Sequence, residues 1–464
     1  MKRGLPIGTR VFHETFGVGE VLAETHDGYE VLVGFAKFSQ WLRTRDLVLA
    51  TDKRARLGPQ AAPRPGAAAD AAPATVVPVG RSQARAIVES MRLGVAPPVG
   101  IERCTVGRHH EVSAVRSWLR DEAEGALVLE GGYGSGKSHL LRYLRADALA
   151  LGFAVATTGV SPTEGVLTVP RRAYAHLVRD LTVPLRTAGK EGPLELIGFE
   201  AALERAAQLP AALAEAATHE FFGPALQALS RGKLPESAWS VLRGERTRAN
   251  LLPPFYDHQT AANLACYALS GLSRLLVEAF GLRGLLLLFD EVETAPSTRY
   301  GYERAHSKNF MRGLVLVSCD DDALLDEDIT MEQGGFVGSE TRLLYSGHLQ
   351  SRYLGHVPSH MKTLFAVTPD TMLPVFQGWR TTVPHLAVEA LDERELRALF
   401  DLTCGLYSEA FGGDVGPGKE TLYRLLRQRV PGDHPRTLLK GAVELLDFTR
   451  LYPARVPADA LRFG

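Results

Sequence analysis

Residues 126–144 read ALVLEGGYGSGKSHLLRYL, and the fold of the chain turns on this stretch. Ala126 to Leu129 form an apolar run of the kind that makes a buried strand. The run breaks into a loop, Gly131-Gly132-Tyr133-Gly134-Ser135-Gly136, that ends in Lys137 and Ser138; Leu140, Leu141 and Leu144 then recur at helical spacing. A G-x-x-x-x-G-K-S pattern between a strand and a helix is a phosphate cradle. Its glycines let backbone N–H groups curl around an oxyanion, and the helix N-terminus adds a favourable dipole. Lys137 is placed to reach the β and γ phosphates of a nucleotide, and Ser138 to ligate Mg2+. The alternative, a glycine-rich turn that happens to precede a lysine, leaves the flanking strand and helix unexplained.

A chain of 464 residues has room for two or three domains, one of them a large nucleotide-binding unit. Its 52 Lys and Arg stand against 53 Asp and Glu, a net charge of -1, so any contact with nucleic acid must rest on local patches. Cys104, Cys266, Cys319 and Cys404 are scattered without a C-x-x-C pair, which argues against a zinc ribbon or a disulfide framework and for buried thiols in a reducing compartment. No apolar run approaches the ~18 residues of a membrane span, and the opening MKRGLPIGTR lacks the apolar core of a signal peptide. A cytoplasmic protein without membrane contact is expected.

Residues 1–50 predict a small all-β unit with strands at 9–12, 19–25, 29–35 and 39–42, and turns at Phe16-Gly17-Val18-Gly19 and Asp27-Gly28. GTRVFHETFGVGEVL, GYEVLVGF and WL resemble the SH3-like (Tudor-like) module at the C-termini of UvrD/PcrA-type helicases and in CarD-type transcription regulators. In those families the module contacts RNA polymerase or other protein partners near DNA, so the resemblance implies an adaptor. Six basic and six acidic residues in this stretch disfavour a phosphate-tracking surface, and a protein partner is preferred over DNA. Phe12 and Trp41 are candidate contact residues, or equally the core of so small a barrel. Residues 51–81, rich in Ala and Pro, have no period and read as a semi-extended linker.

Ser82 is expected to cap a helix through Leu93, and Gly107-Arg108 precedes an amphipathic helix with Val112, Val115 and Leu119 on one face. Residues 153–158 read as a strand, and 171–280 as a helical insertion into a core spanning 82–385. The acidic run CDDDALLDEDIT lacks the alternating ligands and central glycine of a calcium loop and reads as a solvated surface. Helical segments at 389–411, 419–428 and 436–451 make a C-terminal lid within 386–464.

A nucleotide triphosphatase must also hold its metal and orient a water. GLRGLLLLFDEVE supplies a fully apolar strand ending in Asp290, placed to bind Mg2+, and Glu291, placed to polarise the attacking water. The order phosphate loop, acidic strand, then TLFAVTP fits an ATPase core with an additional strand, in which Thr368 would sense the γ-phosphate. PGDHPRTLLKGAVELL sets Arg436 at the start of the last helix, where AAA+ and ORC/Cdc6-like ATPases carry a second sensor arginine; the alternative is a surface charge, which a helix N-terminus disfavours. Gly107-Arg108 resembles the segment that runs beside the adenine in the same ATPases.

The run RAIVESMRLGVAPPVGIERCTVGRHHEV, with LVLEGGYGSGKSHLLRYL, LLLLFDEVE and LFAVTPD, resembles the BrxC/BrxD-like ATP-binding proteins of bacteriophage exclusion (BREX) systems over roughly residues 82–450. The resemblance implies an α/β AAA+/STAND-like ATPase core, ATP and Mg2+ as ligands, and other defence-system proteins as partners, with DNA nearby. A motor or switch that hydrolyses ATP on or near DNA is the first expectation, and whether it forms an ATP-dependent homo-oligomer is left open. An ATP-gated scaffold with little turnover is the competing expectation. Arg299, Arg304, Arg342, Arg352 and Arg380 are all possible fingers acting in trans.

Overall fold

The computed structural model describes residues 80–160, 166–185, 194–256, 261–292, 301–332, 335–346, 351–369, 376, 379–412, 418–430, 432 and 434–453, together with five strands nearer the N-terminus. The chain divides into two units, Met1–Ala72 and Pro73–Gly464.

In the first unit the strands Arg10–His13, Gly17–Glu24, Glu30–Gly34, Ser39–Arg43 and Val48–Leu49 pair antiparallel in the order fourth, third, second, first, fifth. Gly17, Val18 and Gly19, expected in a turn, are instead strand residues opposite His13, Phe12 and Val11. Ladder pairing across the sheet overrides the local glycine signal there. The short strand Val48–Leu49 was not expected; it closes on the first strand. The Asp27-Gly28 turn and the Ala/Pro linker at 51–79 lie outside the described residues.

The second unit is built on a parallel sheet of β1 (Ala126–Glu130), β2 (Phe153–Gly159), β3 (Gly284–Asp290), β4 (Met361–Val367) and β5 (His385–Ala387). Their spatial order is β5-β1-β4-β3-β2, all parallel, so β4 lies between the strand leading into the phosphate loop and the acidic strand. β1, β3 and β4 are apolar at nearly every position because both faces are covered, whereas β5, at the edge, is largely exposed. Leu127, Leu129, Leu286, Leu288 and Leu364 face helices α2 (His109–Arg120) and α3 (Lys137–Leu151), reached after α1 (Arg81–Leu93). Val128, Leu285, Leu287, Phe289 and Phe365 face the larger cluster that includes α4 (Ala262–Phe280), α5 (Gly301–Ser318) and the insertion.

The insertion is not purely helical. Between its helices Pro170–Asp180 and Phe199–Ala206 the strands Val183–Leu185 and Glu195–Ile197 pair antiparallel. Thr182, Val183 and Pro184 disfavour helix in the first of these strands, and pairing with it makes Glu195–Ile197 the second. A second departure is a three-stranded sheet, Ile329–Glu332, Gly335–Gly338 and Leu344–Tyr345, within the stretch after the acidic run. The acids there serve the fold. Asp320 accepts from the backbone of Ser359 at 2.7 Å, and Glu327 takes Thr341 Oγ1 at 2.8 Å and Tyr345 OH at 2.6 Å. Among the described residues no group of His, Cys, Asp and Glu is arranged to hold a metal, and no helix is long and apolar enough to cross a membrane.

Helix α1 starts at Arg81 with Gly80 as its cap, and Ser82, expected in that role, lies inside it. The reason is tertiary: Arg81 Nε donates to Ala410 O at 3.0 Å and Arg85 Nε to the same carbonyl at 2.9 Å, fixing the first turn. Ala84, Ile87, Val88 and Met91 pack among Leu396, Phe400, Leu438 and Val443 of α6 (Glu393–Phe411) and α8 (Pro435–Leu451), with α7 (Lys419–Arg429) completing the cluster. Helix α1 therefore belongs to the C-terminal helical layer.

Candidate nucleotide site

The loop after β1 begins by extending the sheet, with Gly131 N donating to Val367 O at 3.1 Å. Gly134 (φ 80°) and Gly136 (φ 103°) then adopt left-handed backbone that a side chain would strain. A Cβ on Gly131 would lie 2.5 Å from Ser135 Oγ and 3.1 Å from Val388 Cβ, so any larger residue there would displace the Ser135 side chain. Gly132 has open space around it. Helix α3 has no side-chain cap, which leaves its first N–H groups facing the loop.

Lys137 is buried, and its Nζ donates to Gly131 O at 2.5 Å, Gly132 O at 3.2 Å and Thr368 Oγ1 at 3.4 Å. The lysine of the loop and the threonine just past β4, 231 positions apart, thus meet because β4 neighbours β1. Ser138 is exposed on the first turn of α3. Asp290 is half-buried at the tip of β3; its carbonyl accepts from Val160 N at 2.9 Å and its Oδ1 from Glu291 N at 3.0 Å. Glu291 is exposed and holds φ at 56°, a left-handed value uncommon for any residue but glycine. Such backbone strain concentrates at functional sites.

Arg108, expected beside the adenine, is buried and held on several sides. Its buried guanidinium donates to Glu111 Oε1 at 2.7 Å, Glu389 O at 2.6 Å and Ser135 O at 2.7 Å. It braces the phosphate loop from behind, tying it to the start of α2 and to the segment after β5. The pair with Glu111 is almost wholly removed from water. Glu111 went unnoticed in the sequence, although its i, i+3 spacing from Arg108 was a usable sign. A cavity of about 660 Å³ beside α2 is lined by Thr105, Arg108, Val112 and Tyr143, and none of the loop residues 131–138 lines it. His139 shares its Nε2 with Thr105 Oγ1 at 2.9 Å, and burial, aided by Arg108 and Arg142, lowers its pKa to about 4.

Arg436, on the first turn of α8, reaches the phosphate loop. Its Nη1 donates to the Tyr133 hydroxyl at 2.8 Å, and its guanidinium carbon lies 5.5 Å from the centre of the Tyr133 ring. On the far side of the loop Glu130, the last residue of β1, pairs with His385 of β5. The arginines considered for action in trans are mostly engaged. Arg342 is held by Glu332, Arg352 by Asp326, and Arg380 by Asp321 and Glu340; Arg304 is exposed, and Arg299 lies outside the described residues.

None of the curated proteins matches the chain. One family model does, over residues 79–197, about a quarter of the sequence. From α1 through the phosphate loop to the hairpin strand Glu195–Ile197, the chain is similar to the family described as BREX system ATP-binding protein BrxC/D.

Proposed function

We propose that the Pro73–Gly464 unit binds ATP with Mg2+ and hydrolyses it in an AAA+-like core with an additional strand, as part of a BREX-like phage-defence system. The observation that carries this is the position of β4 between β1 and β3, which brings Thr368 within 3.4 Å of Lys137 and leaves Asp290 and Glu291 one strand further along the same edge. Bound phosphates would draw on the N–H groups of residues 131–138 and on the Lys137 ammonium, whose present acceptors are neutral oxygens. Ser138 and Asp290 offer the hydroxyl and carboxylate oxygens that suit Mg2+, which would neutralise charge on the β and γ phosphates. Glu291 accepts a proton from the attacking water, Thr368 contacts the γ-phosphate, and Arg108 keeps the Ser135 carbonyl fixed behind the loop. Arg436, in contact with Tyr133, would couple the helical layer to the same loop. Steady-state phosphate release by the full chain, with and without DNA, tests the reading; no release under either condition, with ATP bound, rejects hydrolysis.

A second reading, an ATP-gated scaffold recruiting defence-system proteins or RNA polymerase, is favoured by the separate unit Met1–Ala72. Removing residues 1–72 should then leave ATP binding and phosphate release unchanged and end partner co-purification from cells. Loss of ATP binding in a folded truncated chain counts against an independent adaptor.

A further inference from the structure

We propose that Tyr133 and Gly94 are positioning residues for Arg436, holding its guanidinium at the mouth of the phosphate loop so that the helical layer senses which nucleotide is present. The inference rests on the ATP-binding reading above and names the device by which that site would be read out.

Tyr133 sits in the middle of the phosphate loop yet is 74 % exposed, unusual for a large aromatic ring that could be a small residue at that position. What it touches is Arg436. The hydroxyl takes Nη1 at 2.8 Å, and the ring lies beneath the guanidinium at 5.5 Å. Across from it, Gly94 ends α1 in left-handed backbone (φ 67°), and a Cβ there would come within 3.0 Å of Arg436 Cγ and 3.1 Å of its Nε. The arginine stem therefore runs in a groove beside Gly94, where a Cβ would press on it and, at 3.0 Å, on Lys440 Cδ. His434, two residues earlier, comes within 4 Å of a Cβ built on Gly134, so the start of α8 rests on the loop itself. A flexible arginine loses rotamer freedom when it is fixed. Here that freedom is already spent by the groove and the ring. With Nη1 on Tyr133, the remaining guanidinium N–H groups are available to an anion at the loop, and a γ-phosphate is the one that distinguishes ATP from ADP.

A double-mutant cycle on the full chain tests this, reading the ratio of ATP to ADP affinity by titration calorimetry, with Tyr133→Ala, Tyr133→Phe, Arg436→Ala and the Tyr133→Ala/Arg436→Ala pair. The expected result is a loss of ATP preference of roughly tenfold in Arg436→Ala, comparable in Tyr133→Ala, intermediate in Tyr133→Phe, and no greater in the double variant than in Arg436→Ala alone. Gly94→Ala, which keeps both contact partners, should behave like Tyr133→Ala. Additive losses, or a Tyr133→Ala variant that weakens ATP and ADP equally, would overturn the positioning role. If the wild-type chain binds neither nucleotide, it is the ATP-binding reading that fails, and the two failures are distinguished by that measurement.

Discussion

The phosphate loop and the acidic tip of β3 stand at one edge of the same sheet, and they are held in opposite ways. The loop is fixed from below and behind: Lys137 and Arg108 are buried, and their donors are spent on the carbonyls of Gly131 and Ser135 and on Glu111. At the acidic tip Glu291 faces solvent on strained backbone, and Asp290 is tied chiefly through its own main chain. On the proposed function, the difference separates the part of the site that would hold the nucleotide from the part that would act on it. Binding should depend on the first, turnover on the second.

The sharpest way to break this division is Glu291→Gln. Phosphate release should fall by about 10²- to 10⁴-fold while ATP affinity stays within about threefold of wild type. A parallel fall in affinity would show that the tip also builds the binding site. Lys137→Ala should do the reverse and weaken ATP by about 100-fold, ~3 kcal/mol, as two charge-assisted contacts are lost; equilibrium binding of a fluorescent nucleotide reads this directly.

Arg108→Met sharpens the picture of the brace. It leaves Glu111 buried without its partner, at a cost of about 3–5 kcal/mol in stability that thermal unfolding will register, and pairing it with Glu111→Leu should recover much of the loss. A smaller effect is expected at the strained residue. Glu291→Gly should be more stable than Glu291→Ala by about 1 kcal/mol, since both lose the carboxylate and only glycine accepts φ 56° freely. Equal stabilities would mean that the backbone relaxes once the side chain is gone.

The smallest effect is one of pH. His219 is half-buried against Tyr267, 4.2 Å between ring centres, with Nδ1 accepting from Phe221 N and Phe222 N at 3.2 and 3.3 Å, and desolvation lowers its pKa to about 4. His139 is shifted the same way by burial. Because the folded values lie below the usual one near 6.5, the unfolded chain takes up protons first as the pH drops. The stability contribution is complete above about pH 6.5 and is lost as the pH falls towards 4. Thermal midpoints between pH 7 and 5 should decline, and less steeply in His219→Asn.

What could be read in advance was local. GGYGSGKS between a strand and a helix, and LLLLFDE as a buried run ending in acids, each carry their chemistry within a single short stretch. The contacts that complete the site span the chain. Tyr133 and Arg436 are 303 positions apart, and Arg108 was placed by its neighbour Gly107 but its hold on Ser135 O depends on how α2 packs against α3. The insertion's hairpin was missed because PLELI continues smoothly into an alanine-rich helix, and only pairing with Val183–Leu185 makes it a strand. Helix α1 looked like the opening of the ATPase core by position, whereas its apolar face matches that of α6 and α8.

That last arrangement has a mechanical consequence. Among the described residues the first and last helices of the second unit, α1 and α8, lie in one cluster apart from the sheet, so tension applied between residues 81 and 451 is borne by helices sliding past one another. The parallel strands would be shielded from it until that layer had come away. In a single-molecule pulling experiment anchored at those two positions, a short early extension should precede the main rupture, and nucleotide should raise the force of the early event more than that of the later one. A single all-or-none rupture would mean that layer and sheet share one breaking point.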